Sequence, residues 1–248
     1  MTAVNLWLTL SVVLPAADLD NNVEWSGITH VTFQDRRPLC PLDGESFAVQ
    51  VRTWSDDLTS VTVWVDDGAA SLTSVGAAMI GTRGPYDVWQ AQIPATTSEV
   101  LTYYFQLTDG TDSDYLGADG MTNTPPAGAE FVIDYVTLSH APLGATPHPA
   151  GGTVFNVWAP NPTSAYVRGE FNGWGLSNPM TRDGDFFRVF IPSAEPGRMY
   201  KFFFNPGGVW KPAARARDLN PADNYNARIA DPFGHAWNDA GFQTPAFE

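Results

Sequence analysis

Eight short segments of this chain alternate apolar and polar residues with a period of two, which restricts them to β-strands. The segments are 47–54, 59–65, 87–93, 101–108, 153–160, 163–171, 186–192 and 199–205. Asp/Gly-rich turns separate several of them, and no helix of any length is expected before residue 212. The composition agrees, because aromatic residues make up 13% of the chain and charged residues only 16%. The chain is therefore predicted to be all-β.

The second half of the chain repeats the strand pattern of the first at a separation of about 100 residues, the size of an immunoglobulin-like sandwich. The segment "VWQAQIP", which ends at Pro94, matches "FRVFIP", which ends at Pro192. A Pro/Gly-rich stretch precedes the second set of strands and indicates a linker. We therefore predict two consecutive immunoglobulin-like β-sandwiches. Their bounds are 28–136 and 153–235, with the linker at 137–152 and an N-terminal extension or first strand at 1–27.

The negative charge is concentrated in the first part of the chain. The formal net charge is −14, and residues 1–150 hold 4 basic against 18 acidic residues, whereas residues 151–248 hold 9 of each. An acidic surface repels phosphate backbones, so nucleic acid and anionic membrane are disfavoured as partners. A neutral ligand fits this charge better.

The N-terminal segment "LWLTLSVVLPAA" leaves two readings open. It is apolar enough for the core of a secretory signal peptide, but no Lys or Arg precedes it and it is too short to span a bilayer. A first strand is the other reading. The single cysteine, Cys40, excludes an internal disulfide framework.

Alternation also separates the two faces of strands 186–192 and 199–205. One face of each is wholly apolar and is predicted to be buried: Phe187, Val189, Ile191, Tyr200, Phe202 and Phe204. The opposite faces carry a basic residue beside aromatic residues: Lys201 with Phe203, and Arg188 with Phe190. We expect these outer faces to be partly wet, and to serve as a ligand platform or as a contact with another domain.

The stretch "GEFNGWG" (169–175) puts an indole, that of Trp174, into a turn. Sugar rings present C–H groups that lie flat on an indole, while their hydroxyls need polar partners at its edge. The second predicted sandwich offers such a set, and these residues are the candidate carbohydrate-binding site. They are Trp174, Lys201, Trp210, Asn224 and Asn226.

A family resemblance rests on "FNVWAP", "FNGW" and "YKFFF" in this order, within residues 153–235. This region resembles the starch- and glycogen-binding module that precedes the catalytic barrel of branching enzymes, isoamylases and related α-amylase superfamily members. It is also similar to the glycogen-binding domain of the AMP-activated kinase β subunit. The resemblance implies that Trp174 and Trp210 are sugar platforms and that Lys201 and Asn226 hydrogen-bond glucose hydroxyls. Lys211-Pro212 stands where the family usually has Asp-Pro.

Residues 28–135, with "FAVQVRTW" and "LTYYFQLTDG", resemble the N-terminal module of neopullulanases, cyclomaltodextrinases and maltogenic amylases. In that group the module packs on the barrel and aids dimerisation. The segment 236–248 resembles the lead-in to the first barrel strand. A (β/α)8 barrel takes about 250 residues of its own and would carry the catalytic carboxylates, so no active site is expected in this chain.

Metal and cofactor signals are weak. The histidines are scattered without zinc-binding spacing: His30, His140, His148 and His235. The segments 18–22 and 109–114 are rich in carboxylates, but neither has the closing Glu of a calcium loop, and solvated acidic turns explain them better than calcium. We expect no cofactor and no metal.

The leading hypothesis is a non-catalytic region that binds starch, glycogen or maltooligosaccharide for an α-amylase superfamily hydrolase or transferase. A rival is a structural module whose outer aromatics pack on its own catalytic domain or on a second subunit, as in a homodimer, without binding sugar. In the third reading, the chain is the leading part of the whole enzyme.

Overall fold

A computed structural model describes residues 19–69, 72–232 and 234. These residues form nineteen β-strands and three short 3₁₀ turns, at Trp25–Gly27, Glu170–Asn172 and Pro221–Asp223, and contain no α-helix. The all-β prediction is confirmed. None of the described residues forms a helix that is long and apolar enough to cross a membrane. The N-terminal segment that could be a signal peptide or first strand, His235 and the segment 236–248 lie outside the described residues.

Ten strands build the first sandwich. In chain order they are β1 (Arg36–Arg37), β2 (Phe47–Trp54), β3 (Ser60–Asp66), β4 (Thr73–Gly76), β5 (Ala78–Arg83), β6 (Tyr86–Ile93), β7 (Val100–Asp109), β8 (Asp112–Gly117), β9 (Gly120–Thr122) and β10 (Phe131–Asp134). One antiparallel sheet has the order β1-β2-β6-β5, and the other has the order β4-β3-β7-β8-β9, with β10 also paired to β7. Their inner faces enclose a core that contains Phe47, Tyr103 and Phe105.

Nine strands build the second sandwich. They are β11 (Gly144–Pro147), β12 (Thr153–Trp158), β13 (Ser164–Gly169), β14 (Thr181–Asp183), β15 (Phe186–Ile191), β16 (Met199–Asn205), β17 (Val209–Lys211), β18 (Asp218–Asn220) and β19 (Asn226–Arg228). The first sheet has the order β11-β12-β15-β14, and the second has the order β13-β16-β19-β18, with β17 also paired to β16. Phe155, Tyr200 and Phe202 lie in the core between them.

The eight predicted strands are all present, and their ends differ from the prediction by at most two residues. Strands 47–54 and 199–205 coincide with β2 and β16. The predicted linker, 137–152, contains strand β11. Its Gly and Pro residues fit an edge strand, because such a strand tolerates missing N–H donors on its open side.

A third hydrophobic cluster joins the two sandwiches. It is made of residues from both units and from the segment between them: Cys40, Leu42, Leu138, Ala141, Val154 and Phe190. Polar contacts surround this cluster: Glu45 accepts a hydrogen bond from His148 at 2.8 Å, and the Asn156 amide donates to the Ala141 carbonyl at 2.8 Å. The outer face that carries Phe190 is therefore a domain contact, one of the two roles expected for it.

The expectation of partly wet outer faces holds for Phe190 and Phe203, which are half-buried, but it is wrong for the two basic residues beside them. Arg188 is 5% exposed and Lys201 is 6% exposed. Strand periodicity gives the face of each side chain correctly, but it carries no information about what covers that face. The first sandwich packs beside Arg188, and loops of the second sandwich cover Lys201.

His140 lies beside the interdomain cluster, and its burial lowers its pKa to about 4, with a smaller effect from the Arg36 charge. Its Nδ1 accepts a hydrogen bond from the Asp134 N–H at 3.2 Å, and its Nε2 lies 3.1 Å from the Pro41 carbonyl. A proton on Nδ1 would point at the Asp134 N–H donor. The fold therefore holds this ring neutral.

This burial predicts a pH-dependent stability. Unfolded histidine titrates near pH ~6.5, whereas folded His140 titrates near 4, so its protonation destabilises the fold as the pH falls through that window. In His140→Gln, we expect the free energy of unfolding to fall less steeply over this range, by up to about 1.4 kcal/mol per pH unit. Urea unfolding followed by tryptophan fluorescence at several pH values measures both slopes. Parallel pH curves for the two proteins would contradict the prediction.

Candidate functional site

The turn that carries Trp174 is held by its own polar groups. After β13, residues Glu170–Asn172 form a 3₁₀ turn, and Gly173 and Trp174 both have left-handed backbone, with φ of 58° and 61°. The Asn172 side chain accepts from the Gly169 N–H at 2.9 Å and donates to the Val167 carbonyl at 2.9 Å. A left-handed tryptophan costs about 1–2 kcal/mol, so these contacts maintain a strained position for the indole.

Strand pairing brings four more side chains under this turn. Arg168 of β13 lies opposite Lys201 of β16, and Phe203 of β16 lies opposite Trp210 of β17. Because these four residues share the outer face of one sheet, they form a continuous floor. The Phe203 ring meets the Trp210 ring edge-on, with 5.3 Å between centroids.

Arg168 ties the floor to the turn. Its guanidinium carbon lies 4.1 Å from the centroid of the Trp210 ring and 5.1 Å from that of Phe203. Its Nε also donates a hydrogen bond to the Trp174 carbonyl. Arg168 therefore supports one face of the Trp210 indole by a cation–π contact while it fixes the Trp174 backbone.

Beside the turn and the floor, the segment between β18 and β19 forms another side of the site. Asn224 has left-handed backbone, with φ of 52°, and its carbonyl accepts a hydrogen bond from the Lys201 ammonium at 2.6 Å. The Asn226 amide donates to an Asp223 carboxylate oxygen at 2.8 Å. This hydrogen bond fixes the almost fully buried Lys201 side chain at the base of the site.

These elements enclose a cleft of about 340 Å³, near the lower end of the range usual for ligand sites. Its lining contains every residue of the predicted carbohydrate-binding set, together with Asp223: Trp174, Lys201, Trp210, Asp223, Asn224 and Asn226. The two indoles lie 6.2 Å apart between centroids, at an angle of 47°. The cleft therefore combines two apolar ring faces with amide, ammonium and carboxylate groups, which suits a ligand with both C–H surface and hydroxyls.

Sequence reasoning missed Arg168 and Asp223. Alternation along 163–171 places Arg168 on the outward face, but its role depends on the pairing register between β13 and β16. Asp223 stands three residues before Asn226, so a turn can bring their side chains together. The sequence does not show, however, that this turn faces β16. Tryptophans within strand segments usually pack in a core or against another domain, and this gives the same expectation for Trp64, Trp89 and Trp158. The expectation is wrong for Trp158, which is 57% exposed, whereas Trp89 packs on the first core.

The two acidic segments considered for calcium meet at the end of the first sandwich. Asp109 accepts a hydrogen bond from the Asn21 N–H at 2.6 Å, and Asp112 accepts one from the Val23 N–H at 3.2 Å. In the described part of the chain, no group of three or more His, Cys, Asp or Glu residues is arranged to hold a metal ion. These carboxylates bind the backbone of the segment that enters β1.

Two sandwiches in tandem, the second with an aromatic cleft on its outer face, define a chain built from accessory modules. Comparison with family models agrees. Residues 142–234 match the model described as Carbohydrate-binding module 48 (Isoamylase N-terminal domain), and residues 26–137 match the Alpha amylase, N-terminal ig-like domain. Residues 142–234 therefore belong to the first of these domain families and residues 26–137 to the second, as the motifs predict.

Curated relatives include 1,4-alpha-glucan branching enzymes GlgB from several bacteria. That of Methylococcus capsulatus is 32% identical over 170 residues, which is 62% of this chain and 22% of the relative. That of Corynebacterium glutamicum is 30% identical over 207 residues, which is 77% of this chain and 27% of the relative. The chain thus spans about a quarter of the length of these enzymes.

Solved structures that the chain matches include a cyclomaltodextrinase and a pullulanase. The cyclomaltodextrinase is 18% identical over 45% of this chain and 19% of its own, with a TM-score of 0.38. The pullulanase from Anoxybacillus sp. LM18-11, complexed with maltotriose, is 14% identical over 76% of this chain and 27% of its own, with a TM-score of 0.31. Likeness at this level supports no statement about the cleft.

The Arg168 contacts generate a prediction about the cleft. In Arg168→Gln, the Trp210 ring loses its cation–π partner and the Trp174 carbonyl loses a charged donor. We expect the free energy of unfolding to fall by about 1–2 kcal/mol and the near-ultraviolet circular dichroism of the tryptophans to change. Arg198→Gln, which removes the same charge from an exposed site outside the cleft, is the control. Identical spectra for both variants and the wild type would contradict this role.

Proposed function

We propose that the cleft binds α-glucan, the polymer of starch and glycogen, and that it does so without catalysing a reaction. The observation that carries the proposal is the pair of indoles set at an angle above a buried ammonium group. A glucose ring stacks its C–H face on an indole, and its hydroxyls exchange hydrogen bonds with polar groups at the edge. A neutral polymer also avoids the repulsion that the acidic chain exerts on anions.

The angle between the indoles favours an α-linked chain. Successive glucose units of a β-1,4-glucan form a flat ribbon, which coplanar rings suit best. Units of an α-1,4-glucan turn relative to one another, and two platforms inclined at 47° match that turn. One ring of the glucan therefore stacks on Trp174 and a neighbouring ring on the face of Trp210 opposite Arg168.

The polar groups then have distinct roles. The Lys201 ammonium carries three donors, and the acceptor found for it among the described residues is the Asn224 carbonyl. It donates to hydroxyls at the base of the cleft. Asn226 keeps its amide oxygen for a sugar hydroxyl, because its nitrogen is held by Asp223. Further support is the family description as a carbohydrate-binding module.

Removing the Trp174 indole tests the proposal directly. In Trp174→Ala, we expect the dissociation constant for glycogen to rise about tenfold or more. The reason is that one stacked aromatic ring contributes about 1.5 kcal/mol in addition to the area that it buries. Affinity electrophoresis in native gels that contain glycogen measures this. Trp158→Ala is the matched control, because Trp158 is an exposed tryptophan outside the cleft, and its retardation should equal that of the wild type.

Two results would overturn the proposal. One is unchanged mobility of the wild-type chain at high glycogen concentration, and the other is equal retardation of the Trp174 and Trp158 variants. If the wild type instead self-associates in light scattering through the aromatic face, then the rival role as an interaction module replaces glucan binding. A second subunit or the protein's own catalytic domain would then be the partner of that face.

We also infer that the chain is the leading part of an α-glucan-modifying enzyme of the α-amylase superfamily. Among such enzymes, we propose a branching enzyme. Support comes from the names of the curated relatives, all of which extend far beyond the shared region. The modules would then hold polymer near a catalytic barrel. Iodine-staining and chain-length analysis of amylose treated with the full-length protein test this; release of glucose or maltose without new branches would contradict branching.

A further inference from the structure

A second and larger cavity lies where the two sandwiches meet. It has a volume of about 1140 Å³ and is independent of the glucan cleft. Its walls come from residues 32–39 and 139–143 on one side, and from β12, β15 and the 215–217 segment on the other. We call it the interdomain groove. The groove and the cleft lie on opposite outer faces of the second sandwich, because β15 and β16 belong to different sheets.

The charge of the interdomain groove is opposite to that of the chain. Five arginines line it, out of eleven in the sequence: Arg36, Arg37, Arg188, Arg215 and Arg217. Among the described residues the lining contains no Asp or Glu, although the chain has 27 acidic residues; Asp183 pairs with Arg188 from beside the groove. Charges beyond about 8–10 Å are largely screened at physiological ionic strength, so the local arginines determine which ligand the groove attracts. That ligand is an anion.

Two buried polar groups of the groove lack a partner within the described chain. Arg188 donates from Nη1 to Asp183 at 2.8 Å, but its buried Nε has no acceptor. Asn156 is likewise buried, and its Oδ1 has no donor. Leaving such groups unpaired is costly. Both atoms are covered in the structure and their residues lie opposite each other on β12 and β15, so a ligand with acceptor oxygens and a hydroxyl completes them after a small shift of the two side chains.

The rest of the lining is apolar. Phe33, Leu143 and Phe186 line the groove beside the arginines, and Phe33 and Leu143 are exposed. Arginine pairs with phosphate through two parallel hydrogen bonds, whereas apolar and aromatic side chains hold an organic body. An inorganic ion alone would leave these apolar side chains exposed to water, whereas a ligand with an organic part would cover them.

From this combination we propose that the interdomain groove is a binding site for a phosphate monoester on a hydroxyl-bearing organic body. Arg215 and Arg217, both exposed, contact the phosphate together with Arg188, and Phe33 and Phe186 cover the organic part. The ligand touches both sandwiches and so links them. The phosphate monoester of a sugar and that of a nucleoside share this chemistry, and binding measurements distinguish them.

The test uses isothermal titration calorimetry on the full chain at constant ionic strength, with glucose 6-phosphate, adenosine monophosphate and inorganic phosphate as probes. We expect at least one ester to bind more tightly than inorganic phosphate. The double variant Arg215→Gln/Arg217→Gln should weaken that binding about tenfold or more, since each charged hydrogen bond lost costs about that factor. Arg198→Gln/Arg228→Gln removes the same charge from exposed positions outside the groove and should bind as the wild type does.

The proposal is overturned if neither ester binds, if inorganic phosphate binds as well as both, or if the two double variants weaken binding equally. Binding of an acidic peptide without binding of either ester would also overturn it, since the groove would then be a protein contact. Retention of glycogen by the groove variant shows that it is folded. Because the groove and the cleft share no residue, failure here leaves the glucan proposal intact.

Discussion

The pairing of β16 with β13 and β17 is the constraint on which the second sandwich and its cleft both depend. Alternation along β16 sends Tyr200, Phe202 and Phe204 into the core and leaves Lys201 and Phe203 on the outer face. The neighbouring strands fix what stands beside those two residues, because register decides which side chains meet. A slip of one residue would exchange the two faces, which would bury Lys201 in the core and remove the floor of the cleft. Stability and ligand site are therefore set by the same hydrogen-bonded register.

Much of this could be predicted from the sequence, because period-two alternation reports which way a strand residue faces. The strands and the inner face of β16 follow from it. The chemistry of sugar binding indicated the residues of the cleft, and the family resemblance added roles for four of them. Alternation says nothing about what covers a face. For that reason neither the burial of Lys201 and Arg188 nor the exposure of Trp158 could be predicted from alternation. Alternation also does not predict which distant strands pair. The contact between Arg168 and Trp210 therefore follows only from the register of the paired strands in the structure.

The second sandwich uses its two outer faces differently. On one face, a strained turn and an asparagine-rich segment close over a lysine and two indoles. On the other face, β12 and β15 pack against the first sandwich through Val154 and Phe190 and continue into the interdomain groove beyond that contact. A rigid interdomain contact would keep the orientation of the cleft fixed relative to the first module. In the two functions that we propose, a polymer is held on one side, while the opposite side carries the domain contact and a small ligand.

In the glucan complex that we propose, the inclined indoles of Trp174 and Trp210 are the surface on which the sugar rings stack. The most direct measurement is nuclear magnetic resonance of the tryptophan indole N–H groups during titration with maltoheptaose. There are nine tryptophans in the chain. The account predicts that the resonances of Trp174 and Trp210 shift in a saturable manner, while that of the exposed Trp158 does not move. Absence of any shift at saturating maltoheptaose, or shifts confined to tryptophans outside the cleft, would contradict it.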